Sequence, residues 1–487
     1  MLTFEHDYKT LPAPLWAACQ PTPVDTPALI AFNRALAGTL GATDIPDDAT
    51  LAQWFSGNTL PPGADPVALG YAGHQFGNFV PQLGDGRALL LGEVMDAHGQ
   101  RRDIQLKGSG RTPFSRGGDG RSPLGPVLRE YLVSEFMAAI GVPTTRALAA
   151  VASGEQIRRQ LPEPGAVFTR VASSHVRVGT FQFAAAGGNE ETLKALADYV
   201  IQRHYPEAAQ AEDPYLALLD AVVARQAALI ARWMSLGFIH GVMNTDNTSV
   251  AGETIDYGPC AFMEQFDPRK VFSSIDQGGR YAFENQPATA QWNLARFAET
   301  LLPLMNAEGD ELIAQATDAI RRFSDVFAIE QCRLHADKLG LAAQSEQAHD
   351  LMQGLEIQMH QGGMDMTATF DALTQYAASP TNERYAALLA LTAHPEELAT
   401  WLKAWHVVAV AGRENERLDA MRRANPIIIP RNHRVQEAIT AAYDGDFAPF
   451  NTLLEVVTHP YDDSTQARRL AAPATSSEQV LRTFCGT

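Results

Sequence analysis

Two short segments hold the residues most able to do chemistry: His240-Gly-Val-Met-Asn-Thr-Asp-Asn247 and, nine positions further on, Asp256-Tyr-Gly258. The carboxamide of Asn247 and the carboxylate of Asp256 are hard oxygen donors. Such donors hold Mg²⁺ or Mn²⁺ when the phosphates of a nucleotide complete the shell. Asp246, directly before Asn247, is the only carboxylate in the first segment and is the candidate general base for an acceptor hydroxyl.

A protein-kinase catalytic loop reads H-R-D-x-x-x-x-N, with D-F-G further along. Aligned on His240, Asn247 falls at the metal-binding asparagine, Asp256 at the D-F-G aspartate and Val242 at the catalytic base. The metal ligands are kept while the base becomes a hydrocarbon. That combination points to a kinase-like nucleotide site whose reaction is not ordinary phosphoryl transfer. His240 is read as structural, holding the loop by hydrogen bonds.

Upstream residues supply positive charge and close backbone approach. Gly84-Asp-Gly-Arg87 sits at a tight junction before a strand. Its glycines admit a phosphate, and Arg87 offers a two-pronged donor, although Asp-Gly by itself signals a hairpin turn. Lys107 ends a strand on which Ile104 and Leu106 face one way and Gln105 and Lys107 the other. A lysine so placed can meet a phosphate and pair with a carboxylate of the next helix. Both Glu130 and Glu135 lie on that helix, and periodicity leaves the choice open. Arg111, Arg116 and Arg121 stand among glycines in the following loop, where Asp119-Gly120 can shape the backbone, and Arg170 and Arg177 flank Val171–Val176.

The elements that must position these residues follow an α+β order. Residues 1–75 read as an N-terminal extension packing on the lobes, with a helix over Thr26–Leu40. Residues 76–185 read as β-rich, with strands at Ala88–Val94, Asp103–Lys107, Arg146–Ala152 and Ala166–Ala172. One helix, Pro126–Ile140, interrupts them. Helices are expected near 191–203, 214–236, 290–303 and 309–338, giving a helical lobe over 186–340 and a helical extension over 341–487. A β-rich lobe with one helix followed by a helical lobe is the order of a protein-kinase-like bilobal fold.

The 487 residues are 46% apolar and carry 38 Lys+Arg against 56 Asp+Glu, a net charge of −18. A uniformly basic nucleic-acid footprint is missing, and an anionic membrane would repel the chain. Cys19, Cys260, Cys332 and Cys485 form no C-x-x-C pair, which fits a reducing compartment. The N-terminus has no apolar leader, and no stretch reads as long enough to span a bilayer, so a cytoplasmic protein is expected.

Taken together, YAGHQFGNFVPQLGDGRALLLGE, DIQLKGSGRTPFSRGGDGRSPLGPVLREYLVSE, FTRVASSHVRVGTFQ and GFIHGVMNTDNTSVAGETIDYGPCAF closely resemble the selenoprotein O family. The resemblance covers nearly the whole chain. It implies a kinase-like fold with added helices, and an enzyme that binds ATP flipped relative to kinases and transfers AMP to Ser, Thr or Tyr hydroxyls of proteins. It implies nucleotide-binding roles for Gly84, Gly86, Arg87, Lys107, Asp119, Gly120, Arg170 and Arg177. Glu130 becomes the partner of Lys107, Asp246 the base, and Asn247 and Asp256 the ligands of Mg²⁺ or Mn²⁺. Animal members carry a selenocysteine near the C-terminus. Cys485 takes a comparable place, but Arg482 stands where a C-x-x-C partner would be.

Cleavage at the α-phosphate leaves pyrophosphate, whose charge calls for more cations than a kinase has. Lys107, Arg87, Arg170, Arg177 and the arginine-rich loop can supply them. Two other readings are a small-molecule or protein kinase, which Val242 opposes, and a non-catalytic nucleotide scaffold, which the metal ligands oppose. No base-reading motif separates ATP from UTP as donor.

Overall fold

The computed structural model describes residues 2–342, 346–410 and 414–484, so Cys485 lies outside the described residues. In chain order the first strands are β1 (Trp16–Ala18), β2 (Ala28–Phe32), β3 (Val67–Leu69) and the small hairpin β4 (Gly73–Gln75) and β5 (Asn78–Val80). They are followed by β6 (Ala88–Met95), β7 (Arg101–Lys107), β8 (Ser122–Pro123), β9 (Arg146–Arg158) and β10 (Pro162–Ala172). Eight of these form one antiparallel sheet in the order β1-β3-β6-β7-β10-β9-β2, with β8 also on β10. The architecture is α+β, as the sequence order implies.

Both faces of the sheet are covered, which is why β6 is a nearly unbroken apolar run rather than an alternating one. On one side lie α1 (Arg34–Thr39) and α2 (Asp48–Ser56), whose Leu36, Leu51 and Phe55 pack on Ile104, Leu106, Val151 and Val167. On the other lies α3 (Leu124–Ala139), with Leu128, Leu132 and Phe136 in the main core. Alternation along β7 therefore sends Gln105 and Lys107 towards α3.

The helix expected over Thr26–Leu40 is a strand followed by one short helix. Ala28–Phe32 pairs with Ala149–Ala152 of β9, and this pairing outweighs local helix propensity. Asn33 then caps α1, accepting from the Leu36 N–H at 2.9 Å. Residues 1–75 thus supply strands to both edges of the sheet. Between β1 and β2 the chain crosses the sheet as a strap. Its backbone N–H groups at Cys19, Thr22 and Thr26 donate to the carbonyls of Pro66, Ser109 and Ser153.

The rest of the chain is mainly helical: α4 (Val178–Ala186), α5 (Glu190–His204), α6 (Pro214–Leu236), α7 (Gln286–Leu301) and α8 (Gly309–Leu339), with the two-residue strands β11 (Phe238–Ile239) and β12 (Ala261–Phe262) between α6 and α7. Pro214 opens α6 under an Asp213 cap, and left-handed Gly237 closes it. Contrary to the sequence expectation, α6 has the length and mean hydropathy, 1.4, of a bilayer-crossing helix. Its apolarity serves the main core, where Leu218, Val222, Leu229 and Ile230 are buried.

Helices α9 (Glu346–Gly362), α10 (Met366–Ala378), α11 (Asn382–Leu389), α12 (Pro395–Val410) and α13 (Glu414–Ala424) enclose a second core around Met352, Met359, Phe370 and Trp405. Helices α14 (Asn432–Tyr443), α15 (Ala448–Val457) and α16 (Thr465–Leu470) return to the first core, where Phe450 of α15 meets Tyr131 of α3 edge-on at 5.8 Å.

The segment Pro426–His433 links these two groups of helices through Arg431. Its side chain, 1% exposed, grips both oxygens of Asp365 at 2.8 and 3.1 Å and donates to the Ala471 carbonyl at 2.6 Å. Removing one partner of a buried pair strands the other. Arg431→Ala is therefore expected to destabilise the fold by about 3–5 kcal/mol, measured by denaturant unfolding.

Candidate active site

At the floor of the site, three cations converge on one carboxylate. Lys107 Nζ, at the end of β7, lies 2.7 Å from Glu130 Oε2 and 2.9 Å from Asp256 Oδ1. Arg170 of β10 reaches the same Asp256 oxygen at 2.6 Å, and Arg177, at the N-cap of α4, reaches Asp256 Oδ2 at 3.3 Å. Burial would push the Asp256 carboxyl up, but Arg170, Lys107 and Arg177 outweigh it and hold the group well below the usual carboxylate range. Asp256 itself has φ +64°, a left-handed conformation uncommon outside glycine that fixes the direction of its carboxylate.

The question left by periodicity, Glu130 or Glu135, has a geometric answer. Five residues of helix turn them to different sides of α3. Glu130 meets Lys107, whereas Glu135 binds Arg146 through both oxygens and accepts from Asn33 Nδ2 at 2.8 Å.

The loop from His240 to Asn247 faces this cluster. His240 is buried beside Trp233, donates from Nε2 to Ile255 O at 2.8 Å, and accepts from the Val242 N–H at Nδ1 at 3.4 Å. Burial lowers its pKa, so the neutral ring ties the loop together. Asn247 Nδ2 donates to Val242 O at 2.9 Å, which leaves the amide oxygen as the end of that side chain able to meet a cation. Asp246 is buried and accepts from Gln75 Nε2 at 3.2 Å through Oδ2, and its backbone carbonyl accepts from Arg177 at 3.0 Å. Burial pushes its carboxyl up to about 6, against the Gln75 hydrogen bond and the Arg177 charge.

The rim is made by the two glycine-containing turns. The Gly84–Arg87 turn is held by residues 112–115: Thr112 Oγ1 donates to Asp85 O at 2.6 Å and Ser115 Oγ to Gly86 O at 2.5 Å. Asp119 is exposed. It shapes its own turn by accepting from the Arg121 N–H at 2.9 Å and pairs with Arg159 at 2.8 Å. Arg121 turns towards the strap, donating to Thr22 O and Pro23 O, while Arg116 faces the cavity.

The twelve residues to which the family resemblance gives a role, Gly84, Gly86, Arg87, Lys107, Asp119, Gly120, Glu130, Arg170, Arg177, Asp246, Asn247 and Asp256, line one cavity of about 610 Å³. Of the three loop arginines, Arg111 does not line it. Three further residues carry structure that sequence reasoning did not assign. Gln105 accepts from Arg170 at 2.6 and 3.2 Å and donates to Asp85 at 2.9 Å. Burial pushes the Asp85 carboxyl up to about 6 despite Arg177 and Arg170. Tyr71 lies under the Arg177 guanidinium, 4.4 Å from ring centre. Gln105 stands on the Lys107 side of β7, and that was its only sequence signal.

Asn247 and Asp256 fit a divalent cation in donor type, since both present hard oxygen to the same cavity. Among the described residues no group of three or more His, Cys, Asp or Glu side chains is placed to hold a metal. A cation here must draw most of its ligands from phosphate and water.

A cavity of this size with a cationic floor and a buried carboxylate suits a polyphosphate substrate, and comparison with known proteins gives the class of enzyme. The family model described as "Protein adenylyltransferase SelO" matches residues 1–458. The chain belongs to the SelO family and is a nucleotidyltransferase. It is 55% identical over 487 residues to the protein nucleotidyltransferase YdiU of Rhizobium meliloti (strain 1021), covering 99% of each chain. It is 53% identical over 494 residues to that of Agrobacterium fabrum (strain C58 / ATCC 33970), covering 100% of each. With that of Rhodopseudomonas palustris (strain HaA2) it shares 54% identity over 488 residues and 99% of each chain.

The rim tolerates no side chain at its tightest turn. At Gly120, φ +70°, an added Cβ would lie 2.1 Å from the backbone of Gly110. Gly120→Ala is expected to cost about 1–3 kcal/mol of stability in denaturant unfolding and to weaken nucleotide binding measured by calorimetry.

Proposed function

We propose that this protein transfers AMP from ATP to Ser, Thr or Tyr hydroxyls of target proteins, releasing pyrophosphate, on a kinase-like bilobal frame in which ATP sits flipped. The observation that carries this reading is the convergence of Lys107, Arg170 and Arg177 on Asp256, in the cavity that Asp246 also lines, beside a loop whose base position is Val242. A hydrocarbon cannot take a proton, and three close cations suit a departing pyrophosphate better than a departing ADP. A cytoplasmic location belongs to the same reading.

In this scheme Lys107, Arg170 and Arg177, with Arg87 and the turns at Gly84, Gly86, Asp119 and Gly120, bind the phosphates. Glu130 holds Lys107 in place. Asp246 takes the proton of the acceptor hydroxyl, whose oxygen bonds to the α-phosphorus. The bond from that phosphorus to the oxygen bridging to the β-phosphate breaks, and pyrophosphate leaves with the electron pair. Asn247 and Asp256 are the residues that would hold Mg²⁺ or Mn²⁺, which when bound supplies charge neutralisation at the phosphates.

Label from α-labelled ATP is expected on protein hydroxyls, with none from γ-labelled ATP. Transfer of γ label with ADP as co-product would restore the kinase reading, and α-labelled UTP in the same assay tests the alternative donor. Asp246→Asn should lower the rate by about a hundred- to ten-thousandfold with nucleotide binding kept. Because the base works only when ionised, the wild-type rate should climb as pH rises through about 6 and level off above it.

The cations on Asp256 also couple metal to nucleotide. Triphosphate must draw Lys107, Arg170 and Arg177 away before the carboxylate is free for a cation. Mn²⁺ affinity, followed by electron paramagnetic resonance, should be low for the protein alone and rise with a non-hydrolysable ATP analogue. Lys107→Ala should raise nucleotide-free Mn²⁺ affinity while slowing transfer by about a hundredfold or more. Equal Mn²⁺ affinity with and without the analogue would count against this coupling.

A further inference from the structure

Taking Asp246 as the base, as proposed above, we infer that Gln75 is the positioning residue that aims its carboxylate at the acceptor hydroxyl. A carboxylate at the end of an sp³–sp² bond has a broad torsional preference and does not orient itself. Here the two oxygens of Asp246 are treated differently. Oδ1 is buried, accepts no hydrogen bond, and lies against Gly73, where an added Cβ would come within 2.5 Å of it. Oδ2 accepts a hydrogen bond from Gln75 Nε2 at 3.2 Å. With one oxygen sealed and one lone pair of the other occupied, what remains of Oδ2 is directed into the cavity that Gln75 and Asp246 both line.

Gln75 is itself held on either side. The N–H of His74 donates to Thr245 Oγ1 at 2.7 Å, and the N–H of Phe76 donates to Asn244 Oδ1 at 3.1 Å. Thr245 Oγ1 donates on to Gln182 at 2.7 Å, and the Gln182 amide meets His74 Nδ1 at 2.7 Å, closing a ring of hydrogen bonds. The turn after Gln75 uses left-handed Phe76 (φ +51°) and Gly77 (φ +84°). The β4–β5 hairpin is therefore fastened to three consecutive residues of the catalytic loop. A neutral amide suits this role. A lysine or arginine at position 75 would neutralise the base it was orienting, and a glutamate would repel it.

The test uses Gln75→Met, which keeps the shape and removes the donor, alongside Gln75→Ala. Both should lower kcat for AMP transfer by about ten- to a hundredfold, with KM for ATP and affinity for a non-hydrolysable analogue unchanged. Each should add nothing when combined with Asp246→Asn, because the amide acts only through that carboxylate. Asn78→Ala, an exposed change on the same hairpin, should leave the rate as it was. Unchanged kcat in both Gln75 variants, loss of nucleotide affinity in step with kcat, or full additivity with Asp246→Asn would overturn the inference. If Asp246→Asn alone keeps the wild-type rate, it is the base assignment that fails. If Asp246→Asn is slow and Gln75→Met is not, only the positioning role fails.

Discussion

The Asp256 carboxylate joins the sheet to the helices that follow it by charge. Lys107 and Arg170 come from neighbouring strands of the sheet, Arg177 from the cap of the first helix beyond it, and Asp256 from the loop between β11 and β12. A buried ion cluster of this kind adds little net stability, because desolvation offsets much of the attraction, but losing one member leaves the others uncompensated. Its value is geometric. It ties the sheet to the helical part where the cations, Asp246 and Asn247 share a cavity.

Helix α3 serves the same end from behind. Glu130 faces the cluster, while Glu135 is locked to Arg146, Asn33 and the Ala147 N–H on the opposite side. The C-terminal helices α14 and α15 then close over it, with Ile439 and Phe450 in the core that holds Leu128 and Tyr131. A helix fixed on all sides holds its charged residue without reorganisation, the condition under which electrostatic stabilisation is most effective.

Much of this was legible in the sequence because it is encoded locally. The alternation Ile104-Gln-Leu-Lys107 gives the side on which Lys107 points, and Pro214 with Gly237 marks both ends of α6. The spacing of Asn247 and Asp256 survives as a pattern because one short excursion connects them. Other features depend on partners distant in sequence. Ala28–Phe32 is a strand only because the edge of β9 is there to pair with it, and Gln105 matters only because Arg170 lies beside it on β10. Asp85 reads as part of a turn until folding buries it next to Arg177. Arg431 meets Asp365 across 66 residues of chain, a relation that no periodicity reveals.

The strap between β1 and β2 has a mechanical meaning. Its ends belong to strands at opposite edges of the sheet, six neighbour spacings apart, or about 29 Å if the sheet were flat. The ten residue steps from Ala18 to Ala28 span at most about 33–36 Å when fully extended. A tether with so little slack behaves as a gauge: it limits how far the sheet can flatten or its edges can spread. Because Thr22 and Pro23 are also gripped by Arg121, any tension in the tether reaches the glycine-rich rim directly. The width of the cavity mouth is thereby tied to the curvature of the sheet, and a strap shortened by one residue would be left with almost no slack at all.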